Sequence, residues 1–405
     1  MYDILKGLRI VEATSFVASP SAGLYLAQFG AEVIKVDHVR GGPDYDRWPK
    51  ADNGASFYWE GLNKAKKSIA VDLRSAEGRE LLMRLAGSGE NGGILLTNFP
   101  INGFLSYENM KAIREDIIVA RVMGKADGRT AVDYTVNCAL GLPNMTGPES
   151  LGDEPVNHVL PAWDLLAGAY TAFAILAAER HRRETGKGAD IRIPLSDIGI
   201  ATMANLGQVA ETHYTNENRA RHGNQVFGSF GRNFVTADGK HIFLIALTKR
   251  QWAGVIKVLE IADEVDAIEK ARGVSFEFDT GVRFQHRDVL NPLFAEKISK
   301  WETDKLGEAL DEVGGCWGEY KTIQDAVTDP DLVTENPIFE IMKNPSGFSY
   351  PTPGAVATIA GETRGKPKTA PVLGQNTEEV LADVLDMSAS EIAVLMDSGI
   401  VGAKS

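Results

Sequence analysis

Asp164 is the residue of this sequence whose position is best suited to chemistry. It stands between apolar neighbours in LPAWDLLAGAY, just after Pro161, where the pattern predicts that a helix begins. Burying a carboxylate among apolar groups is costly unless something compensates its charge. A helix start supplies free N–H groups and a favourable dipole, which keep the carboxylate ionised. Two interpretations are open: a residue that only stabilises the helix start, or a partly desolvated nucleophile that attacks an activated carbonyl.

The other reactive side chains form no pattern that identifies a site. His158 precedes Asp164 closely, but a lone histidine is more often structural than catalytic. The 7 histidines lack metal-binding spacing, and no G-x-S-x-G motif of serine hydrolases occurs. The basic run NKAKKS at 63–68 fits either a solvated loop or a phosphate contact. We therefore predict no metal site.

Charge and composition exclude several classes of protein. The 405 residues include 42 basic and 55 acidic ones, and the net charge of -13 repels nucleic acids and anionic membranes. The apolar stretch 165–178 is too short to cross a bilayer. The start of the chain lacks the pattern of a signal peptide, and the two cysteines, Cys138 and Cys316, lie far apart. We expect a soluble cytoplasmic protein without nucleic acid or membrane partners.

Strands and helices alternate along the first half of the chain. The segments 7–14 and 31–37 have the pattern of strands, and 20–29, opened by Pro20, has the pattern of a helix between them. Further predicted strands are 68–73, 93–98 and 117–122, and further predicted helices are 76–85, 161–183, 250–261, 286–300, 377–385 and 390–398. The sequence therefore predicts an α/β fold with a largely parallel sheet.

This start resembles a dinucleotide-binding unit, because Asp37 at the end of the second strand could hold a ribose hydroxyl. The connection FVASPSAG, however, lacks the glycines of the G-x-G-x-x-G motif. Nicotinamide binding is therefore disfavoured.

Polar and Pro/Gly-rich stretches divide the chain. We predict a large Rossmann-like domain over 1–215, a small α+β domain over 225–325, and a linker with C-terminal helices over 326–405 that return to the large domain. In the small domain, FVTADGKHIFLIAL predicts two strands around Asp238-Gly239, the dipeptide typical of a type I′ turn.

Several segments, in order along nearly the whole chain, resemble the class III CoA-transferase family. They are LAQFGAEVIKVD, GLNKAKKSIAVDLRSAEGRELL, TNFP, the helix around Asp164, TGKGADIRIPLSD, GKHIFLIALTKRQW and APVLGQNTEEVL. The resemblance implies an interlocked homodimer of ring-like subunits, each with a Rossmann-like large domain and a small domain. It also implies an acyl-CoA substrate and no tightly bound cofactor, with CoA as part of the substrate.

The same resemblance implies the site residues. Asp164 stands where the family has its nucleophilic aspartate, which carries CoA as a covalent thioester. The implied CoA contacts are Val17, Ala18, His38, Arg47, Val71, Arg74, Asn98, Phe99, Met123 and Gly124. His38 replaces an arginine that often binds phosphate in this family, and Arg47 is the candidate to compensate. The candidates for holding the free carboxylate of the substrate are Arg47, His158 and Arg232.

Within the family, RWP at 47–49, FYWEGLNKAKKSIA, VDYTVN, LGLPNMTGP, VNHVLPAWD, ERHRR and FGRNF resemble the mesaconyl-CoA branch. This resemblance implies intramolecular transfer of CoA between the two carboxyls of mesaconate. Val17 stands where the formyl-CoA branch has a glutamine, and the glycine-rich loop of that branch has no counterpart, so both differences point away from oxalate and formate. Intermolecular transfer, for example from succinyl-CoA to mesaconate, requires the same residues and stays open.

An α-methylacyl-CoA racemase branch is the third alternative. Its members have a histidine followed by aspartate as one of two acid/base groups, whereas this chain reads AVDY, with Val132 at the position of the histidine. Because valine cannot transfer a proton, racemisation is the least favoured alternative.

Overall fold

The computed structural model describes residues 1–402, which form two compact units. The first unit comprises Met1–Gly141, Asn157–Asn216 and the chain from Pro330 onward, and the second comprises Leu142–Val156 and Glu217–Asp329. The strands are β1 (Arg9–Ala13), β2 (Glu32–Asp37), β3 (Lys67–Val71), β4 (Ile94–Thr97), β5 (Ile118–Met123), β6 (Ala189–Pro194), β7 (Phe230–Val235), β8 (His241–Ala246), β9 (Cys316–Glu319), β10 (Phe339–Lys343), β11 (Ser349–Pro353) and β12 (Val401–Gly402).

Helices make up most of the remaining regular structure. They are α1 (Ala18–Gln28), α2 (Phe57–Leu62), α3 (Ala76–Gly87), α4 (Tyr107–Ile113), α5 (Asp133–Ala139), α6 (Leu142–Met145), α7 (Ala162–Thr185), α8 (Leu195–Asn205), α9 (Gln208–Thr215), α10 (Lys249–Leu259), α11 (Ala262–Arg272), α12 (Thr280–Gln285), α13 (Arg287–Ile298), α14 (Thr303–Glu312), α15 (Ile323–Thr328), α16 (Thr377–Leu385) and α17 (Ala389–Asp397). None of the helices described is both long and apolar enough to span a membrane.

The first unit is built on a seven-stranded sheet in the order β12-β3-β2-β1-β4-β5-β6. All pairings are parallel except that of β12 with β3. The predicted mixed α/β fold with a largely parallel sheet is thus confirmed. Strand order reverses at β1, where β2 and β4 lie on opposite sides, and ligands of such sheets bind at the carboxyl ends of the strands beside this reversal.

Helices cover both faces of this sheet. Because successive strand residues point to opposite faces, Ile10 packs with α1 and α7, whereas Val11 packs with α3, α16 and α17. Leu26 and Ile175 are buried on the first face, and Leu82 on the second. The C-terminal helices therefore belong to the core of the first unit.

The sheet also buries charged side chains beneath its carboxyl ends. Glu12 Oε2 lies 2.8 Å from Lys66 Nζ, and Glu12 Oε1 lies 3.6 Å from Lys35 Nζ. Lys35 Nζ also lies 3.4 Å from Asp37 Oδ1 and donates to the carbonyl of Thr14. The Lys35 and Lys66 side chains are fully buried, and a buried charge is tolerated only with such partners.

The outer edge of β3 is closed by the far end of the chain. Val401 and Gly402 pair with Val71 and Ala70 in antiparallel register. Ala70 N also donates to Thr377 Oγ1, and Ser68 N donates to the side chain of Asn376. No open edge remains along this part of β3.

The second unit contains the antiparallel sheet β7-β8-β9. One face packs against α10, α13 and α14 through a core that includes Phe230, Trp252 and Phe294. Residues 142–156, which the sequence analysis placed in the large domain, belong to this unit. Arg221 explains the difference, because it donates to the carbonyls of Thr146 and Glu154.

The hairpin between β7 and β8 forms where it was predicted, but its turn is not type I′. A type I′ turn requires positive φ at both central residues, and only Gly239 has one, at 78°. The side chain of Asp238 instead accepts from the backbone N–H and hydroxyl of Thr303, at 3.3 and 2.8 Å. This long-range anchor explains why the local signal predicted the wrong turn.

Candidate active site

Loops at the carboxyl ends of β1 to β5 bring the predicted CoA-binding residues to one edge of the sheet. Val17 and Ala18 follow β1 and begin α1, and His38 directly follows β2. The remaining residues at this edge are Val71 and Arg74 at β3, Asn98 and Phe99 after β4, and Met123 and Gly124 at β5. Arg47 lies in the loop between β2 and α2.

Asp164 lies in the first turn of α7 and is partly buried. One helical turn later, Gly168 packs so closely on α1 that a Cβ would lie 2.7 Å from both the Ala18 carbonyl oxygen and Ser21 Oγ. This contact fixes the start of α7 beside the start of α1. Asp164 is therefore held near Val17 and Ala18.

A second aspartate, Asp133, organises the start of α7. Its Oδ2 accepts from Trp163 N at 2.7 Å and from Asp164 N at 3.1 Å. Its Oδ1 lies 2.5 Å from His158 Nε2. Asp133 thus satisfies two free N–H groups of the helix start and connects His158 to Asp164. The sequence analysis missed Asp133 as a site residue, although the aspartate of AVDY stands at the start of α5.

The environment of Asp164 disfavours its ionised form. Burial and the nearby Asp133 carboxylate raise the pKa of Asp164 to about 6, although Arg47 acts in the opposite direction. A carboxylate at neutral pH is then mostly ionised but more basic than usual. A partly buried carboxylate with a raised pKa is compatible with the nucleophile interpretation of Asp164.

Arg47 is held against two aromatic rings. Its guanidinium carbon lies 5.6 Å from the ring centre of Phe16 and 5.2 Å from that of Tyr58. The Tyr58 hydroxyl is buried and has no hydrogen-bond partner among the described residues. Burial raises the pKa of Tyr58 to about 12; Arg47 acts to lower this pKa, and Asp44 and Asp164 act to raise it. Asp164, Arg47 and Tyr58 therefore share one electrostatic environment.

The loop between β1 and α1 is hydrogen-bonded to Asp44 and Asn98. Phe16 has a positive φ of 73°, which is unusual for a residue with a side chain, and its N–H donates to Asp44 Oδ2 at 3.2 Å. Asn98 Nδ2 donates to the carbonyl of Ser15 at 3.0 Å. These two hydrogen bonds anchor the loop to its neighbours.

Two of the predicted CoA contacts, His38 and Arg74, lie beside Asp72. Arg74 donates to both carboxylate oxygens of Asp72, at 2.9 and 3.1 Å. His38 Nε2 lies 3.3 Å from Asp72 Oδ1, but without hydrogen-bond geometry. His38 and Arg74 therefore share one neighbouring carboxylate.

The three candidates for the substrate carboxylate are not brought together in one unit. Arg47 and His158 lie in the first unit near Asp164, whereas Arg232 lies on β7 of the second unit. Within residues 1–402, no group of three or more His, Cys, Asp or Glu side chains could hold a metal ion.

Comparison with known proteins gives this site a chemical context. The model of CoA-transferase family III matches residues 5–377. A 2-methylfumaryl-CoA isomerase of Chloroflexus aurantiacus is 42% identical over 99% of this chain and 98% of its own length. The human succinyl-CoA:glutarate CoA-transferase is 27% identical, with 98% of this chain and 90% of that protein covered.

Solved structures share the fold. A CAIB/BAIF family protein from Brucella suis superposes with a TM-score of 0.75 at 24% identity, over 95% of this chain and 100% of that one. At this identity the likeness concerns the fold alone.

Proposed function

This chain belongs to CoA-transferase family III, and we propose that it moves CoA between the two carboxyl groups of 2-methylfumarate (mesaconate) through a thioester on Asp164. The observation that carries the proposal is the 42% identity, along 99% of the chain, with a 2-methylfumaryl-CoA isomerase. The raised pKa of Asp164 at the carboxyl edge of the sheet supports the chemistry.

The reaction proceeds by four acyl transfers. The Asp164 carboxylate attacks the thioester carbonyl and expels CoA thiolate, which leaves a mixed anhydride. The thiolate attacks the aspartyl carbonyl of that anhydride and frees the mesaconate carboxylate, so that Asp164 carries CoA. The other carboxylate of the same mesaconate attacks this thioester and expels CoA thiolate, which leaves a second mixed anhydride. The thiolate then attacks the mesaconyl carbonyl of the second anhydride, which releases product and restores the Asp164 carboxylate.

The start of α7 suits both attack by Asp164 and its later reaction as a thioester. Its N–H groups face Asp133, so Asp164 keeps its own oxygens for attack. Burial, and then the nearby Asp133 carboxylate, raise the pKa of Asp164 and make it more basic. We assign Asp133 as a positioning residue and Asp164 as the nucleophile.

We propose that CoA lies along the carboxyl edge of the sheet. The contacts are Val17, Ala18, His38, Arg47, Val71, Arg74, Asn98, Phe99, Met123 and Gly124. Arg47, His158 and Arg232 are the candidates for the free carboxylate of the acid. CoA enters as part of the substrate, without a tightly bound cofactor.

We further propose a homodimer with the interlocked arrangement of the family. An exposed apolar face on α7, α8 and α9 supports an association between copies. Tyr170 and Phe173 on α7 are 52% and 66% exposed, and Leu206, between α8 and α9, is 71% exposed. We also propose a reducing cytoplasmic location, because both cysteines are free and exposed.

The proposed function is tested by supplying unlabelled mesaconyl-CoA with an excess of ¹³C-labelled free mesaconate. We expect unlabelled isomer at full rate, because a caged carboxylate reaches effective concentrations of about 10⁵ M or more, which no dissolved acid matches. The product is weighed by mass spectrometry. Label that rises in proportion to the free acid would instead establish an intermolecular transferase.

The pH dependence of kcat/KM should report the ionisation of Asp164. Activity is expected to fall as the pH drops through about 6, since only the ionised carboxylate attacks. This fall is the acidic limb of the pH profile. Asp133→Asn should move the acidic limb to lower pH, because the substitution removes the negative neighbour of Asp164 but keeps an oxygen for the two N–H donors. Arg47→Met should move it to higher pH, because it removes the positive neighbour.

Shifts of the acidic limb in opposite directions in the Asp133 and Arg47 variants identify Asp164 as the titrating group more clearly than a loss of rate would. Arg192→Met serves as the control, since Arg192 pairs locally with Asp190 on β6, and its limb should stay in place. Parallel shifts in the Asp133 and Arg47 variants would show that another group controls the limb.

A further inference from the structure

The second unit contains a cavity of about 400 Å³, and apart from Arg232, a candidate for the free carboxylate of the substrate, the proposed reaction at Asp164 leaves its lining residues without a role. Its walls come from Pro148 and Glu149, from the segment 221–225, from β7 and from the start of α13. Arg221, His222, Arg232 and Arg287 line it, together with Asn224 and Asn233. Its volume is within the range of sites for small molecules.

The cavity carries an excess of positive charge in an acidic protein. Three arginines line it against one carboxylate, Glu149, although the whole chain has a net charge of -13. No carboxylate in the part of the chain that the structure describes forms an ion pair with Arg221, Arg232 or Arg287. By contrast, Arg272 of the same unit reaches Asp288 at 3.0 Å. The field of the cavity therefore favours an anion.

Two of the guanidinium groups have donors left for a ligand. Arg232 uses Nε for the carbonyl of Asn233, at 3.1 Å, and Arg287 uses Nη1 for the carbonyl of Phe284, at 2.9 Å. A guanidinium has five N–H donors in a planar fork, which matches the two oxygens of a carboxylate or phosphate. Arg221 differs, because its two Nη groups hold Thr146 and Glu154.

Aromatic rings hold Arg287 in place. Its guanidinium carbon lies 4.3 Å from the ring centre of Phe284. Phe284 packs edge-on against His222 at 5.2 Å and against Phe227 at 5.3 Å. Burial, and then Arg287 and Arg219, lower the pKa of His222, so this imidazole senses the positive field. A preorganised cation needs less ordering when it binds a ligand.

We propose that this cavity of the second unit is a binding site for an oxyanion, either the carboxylate of a short dicarboxylic acid or a phosphate group, gripped by Arg232 and Arg287. Asn224 and Asn233 supply neutral amides beside the two cations. The inference does not depend on the transfer chemistry, because its test measures oxyanion binding without turnover, and it assigns Arg232 to this cavity rather than to the free carboxylate held near Asp164.

The test follows the His222 imidazole by NMR in the full-length protein, with succinate, inorganic phosphate and adenosine 3′,5′-bisphosphate as separate probes. His222→Gln assigns the signal. A bound oxyanion should raise the pKa of His222 by about one unit, because it neutralises the field of the arginines. Binding by succinate alone would identify a dicarboxylate site, and binding by the bisphosphate alone would identify a site for a CoA phosphate.

Arg232→Gln and Arg287→Gln should each weaken binding of the effective probe by tenfold or more, measured by calorimetry. Arg272→Gln is the matched control, since it removes the same charge from the same unit at a paired, partly exposed position. Thermal unfolding separates loss of the site from loss of the fold. The proposal is overturned if no probe shifts His222, or if all three variants bind equally well.

Discussion

Asp164→Asn is expected to lower turnover by about 10⁴-fold or more, because the amide oxygen cannot form the anhydride or the thioester. The protein should stay folded, since Asn is tolerated in the first turn of a helix and Asp133 still accepts from the two N–H groups. The measurement is the rate of isomer formation from mesaconyl-CoA, followed by chromatography.

A covalent readout separates the nucleophile from a binding residue. In the native enzyme, hydroxylamine added with substrate should modify Asp164, as peptide mass spectrometry would detect. Asp197→Asn is the control, because Asp197 is an exposed acid in the first turn of α8. If the Asp164 variant kept more than a few per cent of turnover, the nucleophile would have to be another residue.

The same variant should be more stable than the native chain at neutral pH. Asp164 has a pKa raised from 3.8 to about 6 in the folded protein, so its contribution to folding is fully present below the unfolded value and is lost as the pH rises through the folded value. Asn carries no such cost. We expect a gain of about 1 to 3 kcal/mol at pH 7 that disappears towards pH 4.

Lys35→Met is expected to lower the free energy of unfolding by about 3 to 5 kcal/mol. Burial alone would lower the pKa of Lys35, but Asp37, Glu12 and Asp44 raise it above its usual value. Removing the ammonium leaves these carboxylates buried with less compensation. Urea unfolding at neutral pH measures the loss.

Lys67→Met provides the matched control for this prediction. Lys67 lies in β3 and pairs with Glu32 and Glu379, both at 2.7 Å, but its side chain is 31% exposed. Such a solvated pair contributes about 1 kcal/mol or less. Equal losses in the two lysine variants would mean that the buried position of Lys35 is not what makes it important.

Local patterns predicted most elements because their periodicity agrees with the tertiary packing. The helix predicted over 76–85 is observed at Ala76–Gly87, and the helix predicted over 377–385 matches its bounds. The first helix was predicted to begin at Pro20 but begins at Ala18, because Ser21 N already bonds to the carbonyl of Val17. Proline marks the first turn without fixing the first residue.

The sequence predicted a site residue only where a charged residue is flanked by apolar neighbours. Asp164 was conspicuous among apolar neighbours. Asp133 was not, because its importance comes from hydrogen bonds to residues about 30 positions later. The arginine-rich cavity shows the same limit, since Arg232 and Arg287 come together only through the packing of β7 and α13. Spacing along a chain carries no signal for such contacts.

The closing of β3 by the end of the chain has a consequence for synthesis on the ribosome. Asn376, Thr377 and Val401, which cover this edge, emerge only after the strands of the second unit, which are all available once Glu319 has been added. The second unit can therefore finish while the first still presents an uncovered strand, the kind of edge that recruits wrong partners. Chaperones that attend the nascent protein would meet it there.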